Sequence, residues 1–167
     1  MLTIRPAVAT DVPTILRFIR ELAEYEREPH AVIATEEDLL RDGWGSTPRF
    51  WCLIAEWQEE PETTPAPSGI ALYFTSYSTW RGHHGIRLED LYVTPSLRGK
   101  GIGKALLAHL ARIAVEQGCS RFEWDVLEWN TPAIAVYEGI GAQMLTEWRI
   151  MRLSGEPLQA LAAQSRT

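Results

Sequence analysis

Twelve consecutive residues carry the clearest chemical signal in the chain: Val93-Thr94-Pro95-Ser96-Leu97-Arg98-Gly99-Lys100-Gly101-Ile102-Gly103-Lys104. The run follows a β-like stretch and opens a helical one. Three glycines at alternate positions let the backbone approach a ligand closely and visit positive φ. Successive N–H groups at a helix start form a cradle for an anion. Arg98, Lys100 and Lys104 add positive charge there, in a chain whose net charge is −6. A pyrophosphate suits both features. A P-loop fits less well, because Gly99 to Gly103 is one residue short and Ala105 leaves no hydroxyl for magnesium. A dinucleotide-binding Gly-x-Gly-x-x-Gly has different spacing and belongs earlier in a chain. A plain glycine-rich turn stays open as a further alternative.

The elements that must position this run are readable from periodicity. Leu2 to Arg5 predicts a first strand. Thr10 or Asp11 can cap a helix whose apolar face is Val12, Ile15, Leu16, Ile19, Leu22 and Ala23, with Pro13 tolerated in the first turn. Thr35 followed by Glu36, Glu37 and Asp38 predicts a second capped helix, ended by Gly43 and Gly45. Strands follow at Phe50 to Trp57, Gly69 to Ser76 and Ile86 to Val93. A polar connection from Trp80 through Gly85 joins the last two. A helix from about Ile102 to Gln117, a strand from Arg121 to Leu127, a short helix from Thr131 to Glu138 and a last strand from Met144 to Leu153 complete the order. The expected fold is a mixed α/β domain over residues 1–167, with its core in 2–153 and a weakly patterned tail from 154 to 167.

Bulk properties narrow the function. The length suits one domain with a real core. An acidic balance argues against nucleic acid as a partner, since phosphate neutralisation needs a basic face, and is compatible with a cationic substrate. Cys52 and Cys119 stand in no metal-ligand or redox spacing, and adjacent His83 and His84 make a poor metal site. No metal is expected. No signal-peptide pattern opens the chain and no apolar run reaches membrane length, so a cytoplasmic protein without a membrane partner is expected.

Arg98-Gly99-Lys100-Gly101-Ile102-Gly103 resembles the Arg/Gln-x-x-Gly-x-Gly/Ala signature of the GNAT superfamily of acetyl-CoA-dependent N-acetyltransferases. The likeness continues in Ile4-Arg5-Pro6-Ala7 and Asp11, in Ile19 through Glu26, in Leu39 through Gly43, in Leu88-Glu89-Asp90-Leu91-Tyr92-Val93, in Glu128-Trp129-Asn130, and in Tyr137 with Gly141-Ala142. Several of these segments are similar to the diamine branch, the spermidine/spermine type and its thialysine-acetylating relative. The resemblance implies a mostly antiparallel, twisted sheet flanked by helices, acetyl-CoA as cosubstrate, a small primary amine as acceptor and a homodimer. Two rival readings are a protein or peptide amine acetyltransferase and a CoA-binding module without turnover.

The resemblance also implies roles. Leu91, Tyr92 and Val93 would offer backbone groups to the pantetheine arm. Arg98, Gly99, Lys100, Gly101, Ile102, Gly103 and Lys104 would hold the pyrophosphate. Asn130 would lie on the pantetheine side, although a simple helix cap explains it too. Tyr137 would stand by the thioester sulfur and protonate the leaving thiolate, its plain alternative being a packed helix tyrosine. An alkylammonium must lose a proton before it attacks, and Glu89 and Asp90 are the candidate acceptors. On a regular strand neighbours face opposite sides, so only a bulge would let both enter one cleft. The family pattern favours Glu89 as the catalytic acid and Asp90 as a substrate contact. The alternative is an exposed pair bound to cross-strand cations. Tyr25 and Glu26 match substrate-side positions, and Trp80 would wall the alkyl stem. Two departures, Ser78-Thr79 where the family has an acid before the tryptophan and a shorter segment at Leu145 to Arg149, shift the expectation from spermidine or spermine toward a smaller amine bearing a carboxylate.

Overall fold

Arg5 on strand β1 (Leu2–Pro6) ties the start of the chain to two other elements: its guanidinium bonds Asp11 at 2.7 Å and Glu56 at 2.9 Å. The computed structural model describes residues 1–165. Asp11 also accepts the Val8 N–H at 2.8 Å, which closes a 3-10 turn over Ala9–Asp11. The hydrogen bonds from Arg5 hold the Asp11 carboxyl below its ordinary range. Helix α1 (Val12–Tyr25) therefore begins after Asp11 without a side-chain cap, because that carboxylate is already engaged. Thr35 does cap α2 (Glu36–Trp44): its hydroxyl accepts the Asp38 N–H at 3.2 Å and the Asp38 carboxylate accepts the Thr35 N–H at 3.0 Å. Gly43 lies inside α2, where a Cβ would strike the Phe50 ring at 2.9 Å, and Gly45 follows its end.

Among the described residues five strands form one sheet in chain order, with β2 (Trp51–Trp57), β3 (Ala66–Ser78), β4 (His83–Val93) and β5 (Phe122–Glu123) following β1. The first four pair antiparallel and β5 joins β4 in parallel, which is the mixed, mostly antiparallel sheet expected. The β3–β4 hairpin is longer than the sequence suggests. Ser78 pairs with His83, so His83, His84 and Gly85 belong to β4 and not to a loop. Gly85 is buried where a side chain would meet Arg121 at 2.8 Å. Strand β5 is shorter than expected and ends at Glu123; just beyond it Asp125 forms an ion pair with Arg87.

Alternation along the strands splits the core into two layers. Cys52, Ile54, Ile70, Leu72 and Tyr92 pack with Val12, Ile15, Leu16 and Phe18 of α1 and with Leu39 of α2. Buried Leu53, Ala55 and Ala71 face the opposite way, toward the layer of helix α3 (Ile102–Glu116), whose own apolar stripe is Ile102, Leu106, Leu107 and Leu110.

The chain divides into two compact units, Met1–Leu127 and a second from Glu128 onward. The second holds α4 (Thr131–Gly139) and α5 (Gly155–Ala162). Helix α5 falls in the tail that carries little pattern. The strand expected over Met144 to Leu153 does not form: the segment is turns and irregular chain, and Trp148, Ile150 and Met151 are exposed. A β pattern specifies a strand only when a neighbouring edge satisfies its backbone, and none of the described strands pairs with it.

Phe18 is fully buried, with its ring centroid 5.3 Å from that of Tyr92. Phe18→Ala is expected to cost about 3–5 kcal/mol. Urea unfolding checks this, through a lower midpoint at an unchanged slope.

Candidate active site

Strand β4 gains one residue on β3 at the point where its acids lie. Leu72 pairs with Asp90 and Tyr73 pairs with Leu88, leaving Glu89 as the extra residue of a bulge. The constraint of strict alternation is thus lifted. Asp90 shares the face of Leu72 and Cys52, while Glu89 stays exposed.

Three carboxylates interact at this place. Asp90 is pushed up to about 7, chiefly by burial and then by the negative charges of Glu89 and Glu26. Burial also raises Glu26, at the end of α1. The field of Asp90 adds to the desolvation that raises the buried Cys52 thiol. No hydrogen bond or ion pair to Asp90 is present among the described residues. The alternative of a Glu-Asp pair neutralised by cross-strand cations therefore does not describe Asp90. A carboxyl poised near neutrality, beside two more acids, suits an incoming ammonium group or a proton in transit.

Along the same strand β4 presents an open edge. Its parallel pairing with β5 covers only Ile86 and Arg87. At Leu91, Tyr92 and Val93 the strand pairs with β3 on one side, and no described strand occupies the other. Open main-chain groups there can accept an extended ligand as an added strand would.

The glycine run then turns into α3. Gly99 and Gly101 adopt φ of +79° and +80°, and a Cβ at either would meet nothing within 4 Å. Their requirement is conformational, not steric. Gly103 differs from the expectation of three left-handed glycines: it lies within the helix, where a Cβ would sit 3.7 Å from Val93, an ordinary contact. Gly101 is the helix cap and supplies no side-chain acceptor, so the first N–H groups of α3, at Ile102, Gly103 and Lys104, remain open to an anion. Lys104 is exposed beside them. Lys100 is held 4.9 Å from the centre of the Trp57 ring and 3.9 Å from Glu59. Arg98 donates from Nε to the Val93 carbonyl at 3.1 Å, and its guanidinium lies 4.6 Å over the Tyr25 ring. Tyr25 is thereby joined to the glycine turn, and Glu26, the next residue, to the acidic group.

One expected residue of the first unit lies away from this group. Trp80 is 88% exposed at the tip of the β3–β4 hairpin. Glu89 lies six residues along β4 from His83, the first residue after that tip, a separation of about 20 Å at strand rise. Asn130 and Tyr137 belong to the second unit, both part-buried. Asn130 occupies the cap position of α4 but makes no side-chain cap bond. Among the described residues no cluster of three or more His, Cys, Asp or Glu is arranged to hold a metal. His83 and His84, now neighbours on a strand, face opposite sides.

Arg27 is a residue that motif reading passes over. It closes α1 in the left-handed region, with φ of +68°. The Glu28 N–H reaches back to the Ala23 carbonyl at 2.8 Å. Glycine is the usual residue there, and an arginine costs about 1 kcal/mol. The detectable signal was a helix end without a glycine.

The model of the acetyltransferase (GNAT) family matches residues 15–142. The thialysine N-epsilon-acetyltransferase of Bos taurus is 45% identical over 166 residues, covering 96% of this chain and 97% of the relative. The L-ornithine N5-acetyltransferase of Arabidopsis thaliana is 32% identical, over 95% of this chain and 86% of its own. Among solved structures, an integron cassette protein from the mobile metagenome of V. cholerae superposes with a TM-score of 0.77 at 27% identity, covering 98% of both chains.

The raised Asp90 carboxyl has a stability consequence. Its folded-state value of about 7 exceeds the ordinary 3.8, so the folded chain holds a proton that the unfolded chain releases, and stability declines as pH rises between those values. Asp90→Asn is expected to raise the melting temperature at pH 8 and to change it much less at pH 4. Thermal unfolding at both pH values checks this.

Proposed function

The chain belongs to the acetyltransferase (GNAT) family and is an N-acetyltransferase, and from that premise we propose that it moves an acetyl group from acetyl-CoA directly to the primary amine of a small cationic substrate, a lysine analogue such as thialysine or a diamine. The observation that carries the reading is the bulge at Glu89, which leaves three acids grouped beside an open strand edge and an anion-binding turn. The relatives named for thialysine and for ornithine support a substrate that is a basic amino acid.

The residues fit acetyl-CoA. The open edge at Leu91, Tyr92 and Val93 suits the amide groups of the pantetheine arm. The turn from Arg98 to Lys104 suits the pyrophosphate, and Asn130 would add a polar contact to the arm. In the proposed reaction Glu89 takes a proton from the substrate ammonium, directly or through water. The freed lone pair attacks the thioester carbonyl, a carbon–nitrogen bond forms, and backbone N–H groups of β4 hold the oxyanion. The carbon–sulfur bond then breaks and the thiolate takes the phenolic proton of Tyr137. The second nitrogen proton restores the tyrosine, so one proton in total leaves to solvent. Binding both reactants together supplies much of the acceleration. Asp90 and Glu26 hold the cationic substrate, and Tyr25 shapes the site from α1.

Residues 1–167 act as one acetyltransferase domain in this reading, working in the cytoplasm. None of the described helices is long and apolar enough to cross a membrane. A homodimer is proposed as well. The apolar residues left exposed at Met144, Leu145, Trp148, Ile150 and Met151 support a second copy as their cover. Trp80, out on its hairpin, then serves as a wall for the amine bound to that second copy.

Two experiments test the reading. Mass spectrometry after incubation with acetyl-CoA and putrescine, spermidine, spermine, lysine, thialysine or a lysine peptide is expected to find an acetylated small amine; product from the peptide alone would overturn it. Tyr137→Phe is expected to lower kcat about 10²-fold or more with acetyl-CoA affinity by calorimetry nearly intact. An unchanged kcat removes Tyr137 as the acid.

A further inference from the structure

We propose that Lys100, held by the ring of Trp57, binds the 3′-phosphate of CoA and so lets the chain tell CoA from its dephospho form; the assignment rests on the acetyl-CoA reading above. The cosubstrate carries two kinds of phosphate. Each phosphorus of the pyrophosphate bears one negative charge, and the first N–H groups of α3 suit it. The 3′-phosphate is a monoester whose charge approaches −2 at neutral pH. A compact ammonium is a point charge, and it suits the monoester better.

The ammonium of Lys100 is engaged at the end of β2. It lies 4.9 Å from the centre of the Trp57 ring and 3.9 Å from a carboxylate oxygen of Glu59. Trp57 pairs with Ala66, and the Thr94 N–H bonds the Ser68 carbonyl at 2.9 Å. The end of β2, the start of β3 and the beginning of the glycine turn therefore lie side by side. The open edge of β4 is on the flank that β3 does not occupy. A cosubstrate whose pantetheine arm follows that edge, and whose pyrophosphate meets α3, still has its nucleotide end to place. Lys100 is a cation on the far side of the turn from the arm.

Trp57 supplies an independent reason. Its indole N–H is buried with no hydrogen-bond partner among the described residues, a cost that phenylalanine at the same place would avoid. Tryptophan is also the ring that attracts a cation best. The use that offsets the cost is the hold on the ammonium. Glu59 does not neutralise that ammonium firmly, because its side chain is 77% exposed and the contact is long. Lys100 keeps 39% of its own side chain in solvent. It is restrained, yet open to an anion that displaces Glu59.

The test is calorimetric and needs no turnover: CoA is compared with dephospho-CoA, which lacks only the 3′-phosphate. The unaltered chain is expected to bind CoA at least about tenfold more tightly. In Lys100→Gln that ratio is expected to shrink to within about twofold of unity. In Trp57→Phe it falls part of the way, and in Glu59→Gln, where the competing carboxylate is gone, it widens. In the unaltered chain it also widens as pH rises through about 6, where the monoester takes its second charge. An unaltered chain that binds both forms alike overturns the assignment. So does a Lys100→Gln chain that keeps the full ratio, since the lysine then acts on the pyrophosphate or on neither group. Both of those results leave the acetyl-transfer reading standing. A chain that binds neither form sinks that reading and this one together.

Discussion

Between Leu72 and Tyr73 strand β4 fits one residue more than the strand beside it, and the distribution of charge in the molecule follows from that mismatch. Without it, Glu89 and Asp90 would fall on opposite faces, one of them among the side chains of α3. With it, Asp90 enters the layer of Cys52 and Leu72 while Glu89 remains in water. Burying a carboxylate is costly unless it is paired or neutralised. Among the described residues no cation pairs with Asp90, and it resolves the cost by holding its proton to about pH 7. The bulge thus converts an ordinary acidic dipeptide into a pair with different protonation states.

The same strand serves two other needs by what it lacks. A longer β5 would seal the edge at Leu91 to Val93, but β5 ends at Glu123. Two left-handed glycines then bring the chain from the strand end into α3 with the first helix donors uncovered. Arg98 ties this turn to α1 through Val93 and Tyr25. The acids, the edge and the turn therefore lie in sequence along one strand and its exit, within the first unit.

What the sequence made legible was local. The capping box at Thr35, the apolar stripe of α1, the glycine turn and the order of the elements before Arg121 all depend on neighbours within a few residues. The bulge was foreseeable only as a condition, because an extra residue leaves no mark in the alternation of one strand; it exists as a relation to the partner. The missing strand at Met144 to Leu153 fails for a related reason, since apolar alternation becomes a strand only where a partner pairs with it, and none of the described strands does. The length of the β3–β4 hairpin was hidden by two histidines and a glycine, polar-looking residues that a two-stranded arm tolerates. Asp11 reads as a helix cap until Arg5 is seen to claim it.

Asp90 also changes how the charge of the molecule should be counted. The formal value of −6 assigns it a full negative charge, yet burial and the neighbouring acids let it hold a proton up to about pH 7. A cation settling among these acids favours the ionised form, and the proton leaves. Association is then an ion exchange, one positive charge replacing another, with less net change in charge than a simple ion pair would give. Its apparent strength strengthens as pH rises through that range, and its measured heat includes the ionisation of the buffer that receives the proton.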